Sequence, residues 1–354
     1  MKFTQALKKD PDILKKEIDA TNKVSEKIKL WIAVLSRSVI IVLFAIVFIS
    51  PLSLLFDSQN NSMAVVIFCI MLATKYVDFG YCIKDSLLNL GVIFLILLVS
   101  PVLAFHSNLA LAVIVHFISL SIILLMTCEK PEMGNGGVHG FAYVFLSGTP
   151  ADSELFFKRF ILTILGYVIC SIVFYVKHRG KNKDIRFKQI ALNYNLFNHR
   201  HIWQFRLALG ISLVLSVLMS LGVERFMWAG FACSSILCSY PITTNPKERF
   251  CHRLVGVIVG SLLFLIIYKI TPSEFSAFLA PIGGVCLGLC TDYRYKTAMN
   301  CFGALMIAGA IYGVEGAVLL RVIDNLMGVI IGYLLFFIFN ILFERYFNNN
   351  YNEN

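Results

Sequence analysis

Charge is scarce in this chain of 354 residues: Asp, Glu, Lys and Arg make up 15% of it, where a soluble domain carries about 25%. Apolar residues reach 58%, and the mean hydropathy is +0.77. A soluble core cannot hide that much apolar surface, because too much of a compact body of this size stays wet. A bilayer removes the difficulty by acting as the apolar solvent. The charge that remains is unbalanced, at +10 net. Its basic residues sit between apolar runs, with no RNA-binding signature, zinc knuckle or basic stripe with interleaved aromatics, so nucleic acid is not an expected partner. No Cys-x-x-Cys occurs. Most of the ten cysteines, including Cys69, Cys170, Cys233, Cys238, Cys286 and Cys301, lie inside apolar runs, where a free thiol packs as a small hydrophobe. Neither disulfides nor a metal site is expected. There is no Walker A motif, and Gly134-Asn135-Gly136-Gly137 follows no strand and has the wrong spacing for a dinucleotide fingerprint. No Ser/His/Asp set or carboxylate pair stands out, so no enzyme and no cofactor is expected. Residues 1–29 are hydrophilic, with eight lysines and five acids. The first apolar run is therefore expected to stay as a signal anchor, not to be cleaved as a leader.

Twelve apolar runs follow, an all-α polytopic pattern of 10–12 transmembrane helices: Leu30–Leu55, Met63–Thr74, Leu87–Phe105, Leu109–Thr127, Val138–Gly148, Phe156–Val176, Leu207–Val223, Phe226–Pro241, Leu254–Ile270, Ala277–Cys290, Thr297–Ile311 and Val318–Phe343. Several fall short of the roughly 20 residues that cross a hydrocarbon core upright. Short, glycine-bearing spans predict broken helices or helices shielded from lipid. The weakest, Val138–Gly148, reads also as a re-entrant segment.

Lysine and arginine set the orientation. Outer loops such as Asp57–Ser62 and His106–Asn108 hold neither, which places both termini in the cytoplasm. Residues 1–29 are expected to form an amphipathic segment, with Asp10 and Pro11 starting a helix and Leu14, Ile18 and Ile28 as its apolar stripe. The first membrane half is then 30–176 and the second 207–343, with a polar cytoplasmic tail at 344–354. The linker between them, Lys177–Arg206, holds eight basic residues against one acid, Asp184. It reads as a topology anchor beside anionic lipid.

The two halves look like a tandem repeat of six spans. Lys84 precedes Gly91 by seven residues, and Arg249 precedes Gly256 by seven. Arg159 and Gly166 keep the same spacing, as do Arg321 and Gly328. Arg37 in the first span answers to Arg206 at the mouth of the seventh. Six spans per unit give both halves the same orientation.

The chemistry-bearing residues are few. Arg321 and Asp324 share one face of the last span, and ionised groups at membrane depth face the bundle interior to pair or to serve function. The first half keeps Arg159, but Leu162 stands at the acid's position. Arg37 is alone in its run and reads equally as an interior cation or as one that snorkels to the headgroups. Arg249 and Arg253 flank the ninth span as inside anchors. Trp228 is either an interfacial aromatic or a ring that stacks on a planar ligand. His116, mid-span, is expected as a satisfied core histidine. The pairs Gly256/Gly260, Gly284/Gly288 and Gly328/Gly332 let helices approach closely.

The stretch from Arg206 to Tyr268 carries a family likeness. Arg206-Leu207-Ala208-Leu209 opens a span that runs to Leu221-Gly222-Val223. Met227-Trp228-Ala229-Gly230 and Tyr240-Pro241 follow, then Glu248-Arg249, Arg253-Leu254-Val255-Gly256 and Gly260. Together with Arg321, Asp324 and Gly328 in the last span, this pattern resembles the fusaric acid resistance protein-like family, which includes aromatic acid exporters. The resemblance implies six-span units and residence in a bacterial inner membrane. It also implies export of aromatic or other amphipathic organic carboxylates, driven by the proton gradient. Membrane lipid and a small organic anion are the partners it implies, with a periplasmic adaptor or a second copy of the chain as further ones. On this reading Arg321 holds the carboxylate, Trp228 touches the ring and Asp324 couples to protons. Arg159 and Arg37 are further candidates for substrate binding. The alternatives are a passive anion channel and a non-transporting membrane scaffold or partner of an envelope complex.

Overall fold

A computed structural model describes residues 11–195, 198–240 and 246–351. Asp10 and Pro241, both singled out above, lie outside them. Among the described residues all regular structure is helical: α1 Pro11–Ala20, α2 Val24–Phe56, α3 Asn61–Thr74, α4 Ile83–Phe105, α5 Leu109–Thr127, α6 Asn135–Ser147, α7 Ser153–His178, α8 Phe187–Leu192, α9 His199–Ser220, α10 Met227–Leu237, α11 Pro246–Ile270, α12 Leu279–Leu289, α13 Tyr293–Tyr312 and α14 Val314–Tyr351. Each of the twelve apolar runs overlaps one of these helices, and Leu207–Val223, Phe226–Pro241 and Ala277–Cys290 run past the helix ends. Seven of the helices (α2, α4, α5, α7, α9, α11 and α14) are long and apolar enough to cross a membrane. At 1.5 Å per residue, α10 and α12, with 11 residues each, reach only about 16 Å.

The chain divides into two compact units. One comprises Met1–Phe48 and Lys247–Ile323. In it, Leu14 and Ile18 of α1 are buried against Leu30, Ala33 and Val34 of α2, with Leu289 beside them, and the Lys15 ammonium donates to the Leu289 carbonyl. The apolar stripe of the N-terminal segment is therefore covered by protein. Ile28 is not part of it, being 54% exposed. Gly284 lies against Val42, and Gly288 against Ser38, which joins α2 to α12. A β-carbon at Gly256 would meet the Arg294 carbonyl, and one at Gly260 the Ala298 backbone at 2.5 Å. These two glycines bring α11 and α13 into backbone contact, and Phe264 packs edge-on to Phe302 beside them.

The other unit comprises Ile49–Pro246 and Asp324–Asn354. Gly166 of α7 receives Ile67 of α3. Helix α9 lies on α5, where Gln204 donates to the Leu124 and Cys128 carbonyls and Phe205 meets Phe117 at 5.3 Å. Helix α10 lies on α6, with Phe231 stacked on Phe141 and Gly230 against Val144. The later part of α14 lies on α10, Gly328 against the Ala229 backbone and Gly332 against Cys233. His116 hydrogen-bonds Tyr143 at 2.9 Å and is a partnered core histidine.

The basic linker is shorter than 177–206. Helix α7 runs to His178, and Asn198 caps α9 by accepting from the Arg200 N–H at 2.9 Å. A good cap lets His199-Arg200-His201 continue into the helix. The rest of the linker is strapped to the bundle. Asp78 accepts from Lys181, Asn182 and the Gly80 N–H. Asp85 accepts from Arg186 and the Phe187 N–H, both at 2.9 Å, and the Cys82 N–H donates to the Ile185 carbonyl at 2.8 Å. Arg200 pairs with Glu129. Burial raises the Asp78 carboxyl, but the Gly80 N–H, Lys181 and Asn182 outweigh it and hold the group below the usual carboxylate range. A depressed acid stabilises the fold above its unfolded pKa and loses that contribution as pH falls through the folded value. The strap is thus intact at neutral pH and loosens in acid. The Asp78→Asn/Asp85→Asn double variant is expected to make Lys181–Lys188 cleave at least several-fold faster under limited trypsin, with the helical signal unchanged. Equal cleavage rates would show that the strap is held by other contacts.

Candidate functional site

Helix α14 carries the polar face expected for the last span. From Arg321 on, its buried positions, Arg321, Asp324, Asn325, Gly328, Val329, Gly332, Phe336 and Phe339, recur at helical spacing, while Ile323, Leu326 and Ile330 are exposed as lipid-facing residues would be. The stripe is polar at one end, glycine in the middle and aromatic at the other. Arg321 is 2% exposed, Asp324 1% and Asn325 0%. One turn beyond Asp324, Gly328 brings α14 onto Ala229, the neighbour of Trp228. Trp228 is buried, with the Arg225 guanidinium 5.8 Å from its ring centre. It is therefore not an exposed interfacial residue.

Arg159 is brought to quite different company. Its Nε donates to the Asn60 side chain at 2.8 Å, its Nη1 to the Thr149 carbonyl at 2.6 Å and its Nη2 to the Gln59 carbonyl at 3.5 Å. Asn60, buried in turn, donates to the carbonyls of Phe56 and Leu155. This clasp ties the end of α2, the turn before α7 and α7 itself together. Asn60 escapes sequence reading because one asparagine in a loop carries no periodic signal.

Arg206 is buried at the start of the α9 span. Its Nη2 donates to the carbonyls of Leu237 and Ser239 at 3.1 and 3.3 Å, and its guanidinium lies 4.4 Å from the Phe336 ring centre. Arg37 is half-buried on α2. Arg253 is buried on α11, and Arg249 lies half-buried over the Tyr293 ring at 5.0 Å. These residues are carried by several different helices. Among the described residues no group of three His, Cys, Asp or Glu side chains is placed to hold a metal ion.

Residues 207–335, most of the second half, match the fusaric acid resistance protein-like family. No curated protein and no solved structure matches the chain.

Proposed function

We propose, from a chain whose segment 207–335 is fusaric acid resistance protein-like, that this is a multi-pass membrane transporter. Its cargo on this reading is aromatic or other amphipathic organic carboxylates, exported across a bacterial inner membrane and coupled to the proton gradient. The observation that carries the reading is the buried polar end of α14. Three side chains that hydrocarbon rejects, Arg321, Asp324 and Asn325, lie within five residues on the covered face of a membrane-length helix. Such groups are costly at membrane depth and face an interior where they pair or act. Arg321 offers a planar fork suited to a carboxylate, Asp324 a proton-accepting group, and Trp228 of α10 an aromatic surface.

Two tandem six-span halves, with both termini inside, are part of the proposal. Helix packing supports it. Gly166 meets Ile67, and Gly328 meets Ala229, each partner lying 162 residues further on. In the same register the first span packs on the tenth, through Gly284 and Gly288, and the seventh packs on the fourth, through Phe205 and Gln204. The halves differ in chemistry at one point. Asn60 satisfies Arg159, whereas the position 162 residues beyond Asn60 is Gly222, at a φ of 68°. The second half instead carries Asp324 on the helix of its own arginine. Arg159 is read as structural from its own hydrogen bonds, and Arg321 as the substrate residue.

Purified protein in liposomes is expected to move labelled benzoate faster when a pH gradient is imposed. The Arg321→Lys and Asp324→Asn variants should slow that flux at least tenfold while unfolding at temperatures near that of the parent. Flux indifferent to the gradient would make the chain a channel, and unaltered flux in both variants would remove α14 from the transport path.

A further inference from the structure

The first two turns of the α9 span hold a cluster of buried N–H donors that nothing above uses. Arg206 is 0% exposed and Trp203 1%. Arg206 spends Nη2 on two carbonyls. Its Nε and Nη1 meet no acceptor, and neither does Trp203 Nε1. The two residues are three apart, hence on one helix face. Both border the same short segment at the end of α10: Arg206 bonds Ser239 there, and Trp203 packs edge-on to Tyr240 at 5.9 Å. None of the ion pairs among the described residues involves Arg206; the nearby Arg200 is taken by Glu129. Gln204, on the intervening position, turns its amide nitrogen away to the α5 carbonyls.

Buried polar groups are almost always hydrogen-bonded, and a buried cation without a counter-charge is costly. Three unmet donors of one polarity, two of them on a guanidinium, ask for an acceptor-only, negatively charged ligand. Nε–H points to the Nη2 side of the guanidinium and Nη1 lies on the Cδ side, so the two are separate charge-assisted donors for anionic oxygens. Phe336 covers a flat face of the guanidinium, leaving the in-plane N–H groups of Nε and Nη1 to bond.

We infer that Trp203 and Arg206, with the Leu237–Tyr240 segment and Phe336 around them, form a binding site for the carboxylate of a small organic anion. The inference rests on the transporter reading and locates a second substrate station, at the opposite end of α14's buried face from Arg321. Every donor lies beneath the surface, so the site is closed in this conformation and α9 must part from the Leu237–Tyr240 segment to load it.

The test reads binding, not flux, so it fails independently of the transport assay. The full chain is placed in nanodiscs of zwitterionic lipid and titrated with benzoate, following its thermal unfolding midpoint and tryptophan fluorescence. Saturable stabilisation is expected, weakened about tenfold or more by Arg206→Lys, which keeps the charge but loses the fixed planar N–H donors. Trp203→Phe, which keeps a ring but loses the donor, should weaken it several-fold. Parallel titrations use inorganic phosphate and nanodiscs containing phosphatidylglycerol. Stabilisation by the anionic lipid alone would assign the site to a headgroup and overturn the inference. So would benzoate binding that is equal in the parent and both variants, or no benzoate binding at all.

Discussion

Gly328→Leu is expected to yield almost no folded protein. A β-carbon at this position would overlap the Ala229 carbonyl oxygen and crowd the Ala229 Cα at 2.6 Å. Backbone on a packed helix cannot swing aside as a flexible side chain can, so α14 and α10 would have to separate. Overpacking a well-filled interior costs about 1–3 kcal/mol even where side chains can adjust, and here they cannot. The same displacement would unseat Gly332 from Cys233 one turn on. A milder control is Gly303→Ala, where a β-carbon meets nothing within 4 Å. That variant should unfold within a few degrees of the parent. The checks are yield of monodisperse protein in detergent and the thermal midpoint. A Gly328→Leu protein as stable as the parent would mean that α14 and α10 are not in backbone contact.

The second large effect concerns the Asn60–Arg159 clasp. Asn60→Leu removes the acceptor of Arg159 Nε and leaves a buried guanidinium short of a bond. Leaving a buried donor without its acceptor costs about 1–3 kcal/mol, and more when the group is charged. Arg159→Met removes the charge as well and strands only neutral acceptors, Asn60 Oδ1 and the Thr149 carbonyl. About 1–3 kcal/mol is expected for such groups. The order is the informative part: the asparagine variant should be the less stable of the two by thermal unfolding. The reverse order would indicate that Arg159 is held chiefly by the Thr149 and Gln59 carbonyls.

Much of this architecture was legible before any coordinates. Uninterrupted apolar runs can only be helices in a bilayer, since every backbone polar group must be satisfied within the segment, and each run overlaps a helix. The likeness of Arg206–Tyr268 to the fusaric acid resistance protein-like family lies in Arg206, Trp228, Arg249, Arg253 and Gly256, and the family match covers all of that stretch beyond Arg206. Other features lay beyond sequence reasoning for definite reasons. Loop partners such as Asn60, and acids such as Asp78, Asp85 and Glu129 that hold the linker, act across about 70–105 residues of chain, and no local pattern announces that pairing. The linker's basic residues count as a topology anchor in sequence, and the acids that strap several of them lie outside the linker. Arg159 and Arg321 look alike in sequence. The structure places Asn60 against the first, and the position matching Asn60 in the second half is Gly222. Trp203 was passed over because its importance comes from Arg206 three residues on and from a segment some thirty residues further along the chain.

The claim that the chain exports organic carboxylates is tested most directly by accumulation of labelled benzoate and related aromatic acids in cells with and without the protein, each with and without an uncoupler. Lower accumulation in cells that make the protein, restored by the uncoupler and by Arg321→Ala, is the result this account predicts. Equal accumulation in both cell types across a broad panel of acids would contradict it.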